Sequence, residues 1–441
     1  MSDDSHREEV IRTISQNFIE RNTMDPELFK KYHVKRGLRN SDGTGVLAGI
    51  TKVSNVHGYV LNEGDKMPVE GRLTLRGHEI RDLIQHAIDH NRFGFEGVSF
   101  LLLMGALPED DELARFRAAI DRSRELPYGF TAESIMKAPT RNIMNLLERS
   151  VSLLYAYDEN AESLDPVHEV EVAISLLSRL PRIMVLGYHA ERAAFHGESM
   201  IMHRYVPGHS TAETILSMLR PDREFTHEEA VMLDILMMLH AEHGGGNNST
   251  FVCRALTSAG TDPYSAYAGA IGSLKGFRHG GANIKVVRMF DEIKEQVADW
   301  SDEGQVGDYL RKIVAKEAYD RTGLVYGMGH AVYTLSDPRA LACRHYARKL
   351  AEGTEYEKEF DLIDTVVRIS PEIIAKGRGT DKAICANIDM YTGLVYKMLG
   401  IPSDLVTPLF ACSRMAGWAA HRFEELVSGK RIMRPAYKSI L

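Results

Sequence analysis

The sequence predicts an all-α protein with a minor β-hairpin element near its N-terminus. Apolar residues recur at three- and four-residue steps through most of the chain, and the breaks between those runs are Gly, Pro and Asn clusters. The exception is Gly45 to Arg76, which mixes short β-branched runs with turn residues, as small hairpins do. From Glu228 to Leu239 the run EEAVMLDILMML is apolar almost all round, the mark of a helix buried on every side. It stops at HAEHGGGNN, where glycines offer the positive φ that ends a helix, so His243 is expected at a helix end. After GFRHGGAN, the residues Val286, Phe290, Ile293 and Val297 share one face, so another helix begins just past Gly281 with His279 at its N-terminus.

Composition narrows the function classes. The 441 residues are 44% hydrophobic and 26% charged, globular proportions that exclude disorder for most of the chain. With 53 basic against 61 acidic side chains the net charge is −8, the wrong sign for a protein whose main partner is nucleic acid. The longest apolar run, Val98 to Leu107, falls well short of the ~18 residues that cross a bilayer. MSDDSHREE has no apolar leader region, so a soluble protein of the cytoplasm, with no membrane partner, is expected. Cys253, Cys343, Cys385 and Cys412 lack C-x-x-C spacing, which suggests neither a zinc knuckle nor a disulfide framework. No repeat or linker marks a domain boundary by composition.

Three glycine-rich breaks each hold a histidine: His243 in HAEHGGGNNST, His279 in GFRHGGAN and His330 in YGMGHAVY. Glycine beside histidine lets backbone and substrate approach closely. A helix N-terminus disfavours imidazolium, so His279 is read as a neutral ring that donates a hydrogen bond to an oxygen gaining charge. Phe410, Arg414 and Trp418 are four apart and share a helix face, and a guanidinium in an aromatic row asks for a carboxylate partner. An internal salt bridge is the alternative for Arg414, and Arg339 in SDPR and Arg434 in RPAY are unremarkable singly. Asp389 interrupts the apolar stretch CANIDMYTGLVYKML, where desolvation would raise its pKa and make it a better base unless a structural partner holds it. His240 and His243 could share a helix face as metal ligands, but HExxH and a third ligand are missing, so no metal is expected. No glycine-rich break has the nucleotide-loop pattern, and GRGT at 377–380 is at most a weak anion site.

These segments resemble the citrate synthase family over nearly the whole chain. KRGLRNSDGTGVLAGITKV, LRGHEIRDL and GFEGVSFLLLMGALP look like its N-terminal portion. HAEHGGGNNST, SLKGFRHGGAN, GMGHAVYTLSDPR and NIDMYTGLVY look like its site motifs, in the family's order. The resemblance implies an acyltransferase that condenses acetyl-CoA with oxaloacetate and hydrolyses citryl-CoA to citrate and coenzyme A, the first step of the tricarboxylic acid cycle. It implies that His279 hydrogen-bonds the thioester oxygen, Asp389 removes a methyl proton, and His330 polarises the oxaloacetate carbonyl. Arg339, Arg414, Arg434 and His243 are implied as oxaloacetate contacts, Arg434 coming from the neighbouring subunit of a homodimer. The coenzyme A thioester is a co-substrate, with no permanently bound cofactor. Its adenine is implied to rest on Tyr326, Gly327, Met328 and Gly329, with Arg278, Arg378 and Lys382 as candidate phosphate contacts. CANID in place of the more usual PNVD, and HAEHGGGNN in place of HEQN or HEGGN forms, depart from the family pattern while keeping the reactive side chains.

The implied fold is a two-domain helical one: a large domain from 1–280 plus 395–441, and a small inserted domain, 281–394, that closes over the active site. Within the class the competing function is 2-methylcitrate synthase acting on propionyl-CoA, one methylene apart. Outside it stand a non-catalytic helical binding or assembly protein and a metal-dependent hydrolase built on His240 and His243.

Overall fold

The computed structural model describes residues 3–440 apart from 41, 64, 380 and 381. The chain divides into two compact units, Met1–Gly49 with Arg434–Leu441, and Ile50–Met433. The first carries α1 (Asp3–Asn22) and α2 (Pro26–Lys31), whose described side chains are largely exposed. Asp25 opens α2 by accepting the Glu27 N–H at 2.9 Å, with Pro26 in the first turn, where its missing donor costs nothing.

The second unit begins with an antiparallel hairpin, β1 (Ser54–Asn62) and β2 (Asp65–Leu75), to which β3 (His78–Glu79) adds a short edge. Ser54 lies opposite Leu75 and Asn62 opposite Asp65, with a register shift between His57 and Tyr59. The hairpin thus fills the later part of the stretch expected to be β. Leu73 and Leu75 alternate inward to the core as period two requires.

Helices α3 (Ile80–Asp89), α4 (Phe95–Met104), α5 (Asp110–Arg122), α6 (Ile143–Leu154), α7 (Pro166–His196), α8 (Thr211–Leu219) and α9 (His227–His240) follow. They are joined by α10 (Asn248–Ser258), α11 (Pro263–Lys275), α12 (Ala282–Gln296), α13 (Glu303–Val314), α14 (Pro338–Ala351), α15 (Glu357–Arg378), α16 (Asp389–Met398) and α17 (Val406–Ser428). The architecture is all-α apart from the small sheet. No helix among the described residues is long and apolar enough to cross a membrane.

Helices α9 and α17 pack together in the core, and α12 packs on α16. Helix α9 starts on a reciprocal Thr226/Glu229 cap and is buried from Met232 to His240, as its unbroken apolar sequence requires. Helix α17 is buried along most of its length and is tied to α7 by a two-pronged pair, Arg422 Nε to Glu169 Oε2 at 2.8 Å and Nη2 to Oε1 at 2.6 Å. On α12 the expected face, Val286, Phe290 and Ile293, is buried, as is Val297 just past its end. The boundaries at 281 and 394 implied by the resemblance fall inside this unit, at the start of α12 and within α16.

Candidate active site

A cavity of about 160 Å³ gathers the side chains of His243, His279, His330, Arg339, Asp389 and Arg414. In sequence these span more than a third of the chain; all but His330, which lies in the irregular segment before α14, arrive beside a helix end or on a helix. Helix α9 ends at His240, and the turn that follows presents His243, with Gly244 at φ +90°. Gly281 is the N-cap of α12, which leaves His279 in the turn before it, as read from the sequence. Asp337 caps α14 and Pro338 starts it, so Arg339 occupies the first turn. Asp389 is the first residue of α16, its backbone N–H taken by Asn387 Oδ1 at 3.0 Å. Arg414 rises from α17 with its guanidinium 4.6 Å from the centre of the Phe410 ring, confirming the aromatic row.

His330 is fixed in one tautomer. Its Nδ1 accepts from the backbone N–H groups of Val332 at 3.1 Å and Tyr333 at 3.2 Å. The ring proton is therefore on Nε2. Burial, aided by Arg339, pulls the His330 pKa down to about 4, so the ring is a neutral donor. His243 stands edge-on to it, centroids 5.1 Å apart, and its own pKa is lowered by burial and by Arg339. Tyr333 stacks on His330 at 4.6 Å and lies 3.3 Å from His243 Nε2 through its hydroxyl.

His279 Nε2 meets Asn247 Oδ1 at 3.0 Å and Ser249 Oγ at 3.2 Å, and the Ser249 oxygen accepts from Trp418 Nε1 at 3.2 Å. Burial and then the charge of Arg414 lower its pKa to about 4. Asp389 moves the other way. Burial raises its pKa to about 6, against the pull of Arg339, which leaves a carboxylate more basic than an exposed one.

The two buried arginines differ. Arg339 donates Nε and Nη2 to Asp337 at 3.1 and 2.7 Å; burial disfavours its charge, and Asp337 more than restores it. Arg414 has no exposed surface, donates Nε to the His240 carbonyl at 2.7 Å, and has no partner for Nη1 or Nη2 among the described residues. Two buried unpaired donors on a cation are costly unless an anion completes them.

One face of α17 grips the loop after α9. Arg414, Trp418, His421 and Glu425 follow the i, i+4, i+7, i+11 stripe. They meet, in order, the His240 carbonyl, Ser249, Glu242 and Arg254. The hairpin supports the neighbouring loop: Gly71 N–H donates to Ser336 Oγ at 3.0 Å, and a Cβ at Gly71 would come within 2.0 Å of the Ser336 carbonyl oxygen.

The remaining candidates stand elsewhere. Tyr326 to Gly329 runs beside the segment leading to Asp389: Gly329 N–H donates to the Cys385 carbonyl at 2.7 Å, and Asn387 N–H to the Gly327 carbonyl at 2.8 Å. The Met328 and Ala386 backbones pair antiparallel. Arg278 is exposed over the Phe277 ring, Arg378 is exposed at the end of α15, and Lys382 is exposed after the undescribed residues 380 and 381. Thr380 of the GRGT stretch is one of those two. Arg434 belongs to the terminal unit, is exposed, and is not among the residues lining this cavity. No group of three or more His, Cys, Asp or Glu side chains among the described residues is arranged to hold a metal ion.

Sequence reasoning missed the residues that orient the others. Asn247 and Ser249 lay unread inside HAEHGGGNNST, although a histidine needs a partner on its far nitrogen. Asp337 was legible, since an Asp before Pro is a helix-start signal that also brings a carboxylate beside Arg339.

Known proteins resemble this chain in sequence and in fold. The family model described as citrate synthase, C-terminal domain, matches residues 41–436. A citrate synthase of Acidithiobacillus ferridurans is 34% identical over 399 residues, covering 89% of this chain and 92% of that protein. 2-Methylcitrate synthase 1 of Corynebacterium glutamicum is 30% identical over 415 residues, covering 92% and 96%. The crystal structure of a citrate synthase from Pyrobaculum aerophilum superimposes with a TM-score of 0.73 at 26% identity, covering 90% of each chain. That of the Thermoplasma acidophilum enzyme, a ternary complex with carboxymethyl coenzyme A and oxaloacetate, shares the fold at a TM-score of 0.74 and 24% identity, covering 92% of this chain and 95% of that one. By a sequence match that spans most of its length, and by the fold that match predicts, this chain belongs to the citrate synthase family.

Proposed function

We propose that the protein is an acyltransferase that condenses acetyl-CoA with oxaloacetate and hydrolyses citryl-CoA, releasing citrate and coenzyme A. The observation that carries this is the single cavity in which Arg414 offers two unpaired buried donors beside a neutral, Nε2-protonated His330 and the basic carboxylate of Asp389. A small keto-dicarboxylate fits that set: Arg414, Arg339 and His243 hold its carboxylates, and His330 donates to its ketone oxygen. A thioester methyl is a very weak acid, so Asp389 removes its proton only as the enolate oxygen is met by a fixed donor in a dry site. His279 is that donor. With Nε2 held by Asn247 and Ser249, Nδ1 is the nitrogen left for substrate. It donates when Ser249 turns its hydrogen to Nε2 and Asn247 presents its amide N–H. The enol carbon then attacks the ketone, the new alkoxide takes a proton from His330, and water cleaves the thioester.

Coenzyme A lies along Tyr326 to Gly329, a placing supported by the pairing of that segment with the residues that lead to Asp389. Arg278, Arg378 and Lys382 meet its phosphates. The segment 281–394 acts as a small domain that closes on oxaloacetate, with His279 and Asp389 near its two ends. The working unit is a cytoplasmic homodimer in which Arg434 of a second copy completes the carboxylate clamp. The terminal unit supports this by exposing Leu47 almost fully and the apolar Ile14, Phe18 and Ile19 of α1, surface that a second copy would cover.

Thiol release with oxaloacetate plus acetyl-CoA, and separately plus propionyl-CoA, tests the reading. Release with acetyl-CoA is expected, and folded protein that releases thiol with neither donor overturns it. The family includes 2-methylcitrate synthases at 30% identity to this chain, so a faster rate with propionyl-CoA would assign that activity instead. Chelator is expected to leave the rate unchanged, whereas a metal hydrolase would lose it.

A further inference from the structure

Glu242 has no part in the chemistry above, yet its carboxylate is fully buried between the turn that carries His243 and the helix that carries Arg414. Its Oε1 accepts three hydrogen bonds, from Gly244 N–H at 2.5 Å, Ser54 Oγ at 2.9 Å and His421 Nε2 at 2.9 Å. His421 is fully buried too, and its Nδ1 accepts from Arg254 Nη2 at 2.8 Å, so its proton is on Nε2 and faces Glu242. Arg254 is held in turn by Glu425 at 2.9 Å and by Glu424. On the other side Oε2 has no hydrogen-bond partner among the described residues and packs against Gly417, where a Cβ would come within 2.2 Å of it. Burial raises the Glu242 pKa, but His421 and Arg414 outweigh it and hold the group near about 2, an anion at neutral pH. A buried ion is costly compared with a well-packed apolar residue of the same size, so its presence behind an anion site asks for a reason.

We propose that Glu242 is a positioning residue for the oxaloacetate site. By holding the Gly244 N–H and standing beside Arg414, it fixes His243 and the guanidinium toward the same anion before substrate arrives, and the His421–Arg254 chain fixes Glu242. The inference rests on the reading of His243 and Arg414 as oxaloacetate contacts. Preorganised donors bind more tightly than ones that must be ordered on binding, so the effect belongs in the oxaloacetate KM.

The test is steady-state kinetics of Glu242→Ala and Glu242→Gln with each substrate varied, together with thermal unfolding. Glu242→Ala is expected to raise the oxaloacetate KM about tenfold or more while the acetyl-CoA KM moves less than about threefold. Glu242→Gln keeps an acceptor for Gly244 at the same length and is expected to recover most of the loss. A lowered Tm with both KM values unchanged marks a merely structural role and overturns the proposal. Should Glu242→Ala fail to fold, Ser54→Ala removes one of the three donors, and an unchanged oxaloacetate KM in that variant overturns it equally. Arg414→Lys measured alongside separates the two levels. If it leaves the oxaloacetate KM unchanged, the reading of the site fails, whereas a raised value there with none in Glu242→Ala sinks only this inference.

Discussion

Arg414 is fully buried and Asp389 partly so, yet desolvation has opposite uses for them. For Asp389 desolvation favours the protonated form and raises the pKa to about 6. The base works as carboxylate, so kcat/KM should fall about tenfold per pH unit below about pH 6 and level off above it. A pH–rate profile flat through pH 5 would remove Asp389 as the base. His279 and His330, with pKa values drawn down to about 4, stay neutral over that range and add no second limb. Asp389→Asn should lower kcat by ~10²–10⁴-fold with oxaloacetate binding nearly intact, measurable by calorimetric titration beside the rate. For Arg414 desolvation lowers the pKa to about 10 without discharging it, and the two unpaired Nη groups await a carboxylate. Arg414→Lys keeps one charge and loses the fork, so the oxaloacetate KM should rise ~10–100-fold. These residue types, and the helix-end settings of His243 and His279, were readable in the motifs, whereas Asp389, read as interrupting an apolar helical stretch, stands at the first residue of α16. Their partners Asn247, Ser249 and Glu242 were not read, because those contacts are set by proximity across elements, whereas Asp337 lies two residues from Arg339 and was legible.

Helix α17 does two jobs with one stripe: it carries Arg414, the proposed anion contact, and clamps the segment that positions His243 and holds His279. That packing demands a bare helix face at Gly417, where a Cβ would meet Glu242 Oε2 at 2.2 Å and the Ala241 carbonyl oxygen at 2.5 Å. Gly417→Ala should therefore destabilise the fold by ~1–3 kcal/mol and raise the oxaloacetate KM, read by thermal unfolding and kinetics. A neutral effect on both would mean that the loop moves aside at no cost. The periodicity that marked α9, α12 and α17 as helices also gave their buried faces correctly, because burial against any apolar neighbour satisfies the same pattern. It carried no information on which neighbour, so the grip of α17 on the 240–249 loop and the support of the Ser336 loop by the hairpin had no sequence signal.

For the whole chain, the proposal that Arg434 serves a second copy makes a sharp prediction. Mixtures of Arg434→Ala and Asp389→Asn, each nearly inactive alone, should regain activity when subunits exchange. Of the resulting dimers about half hold one intact site, giving about a quarter of the wild-type rate per site. No recovery under conditions where exchange is demonstrated would mean that Arg434 acts within its own subunit or not at all. On the proposed reading the net charge of −8 is no obstacle to binding two anionic substrates, since Arg339 and Arg414 line the cavity and set its local field.

Helix content, the hairpin near the N-terminus, the histidines at helix ends and the family itself were all legible in the linear order of residues. They depend on periodicity, turn chemistry and motif, which are local along the chain. Tautomers, the displaced pKa values, the unpaired face of Arg414 and the anion hidden at Glu242 emerged only once the chain was folded. Each depends on what burial removes from water and on which distant group then lies within hydrogen-bond reach, and neither quantity is a property of neighbours in sequence.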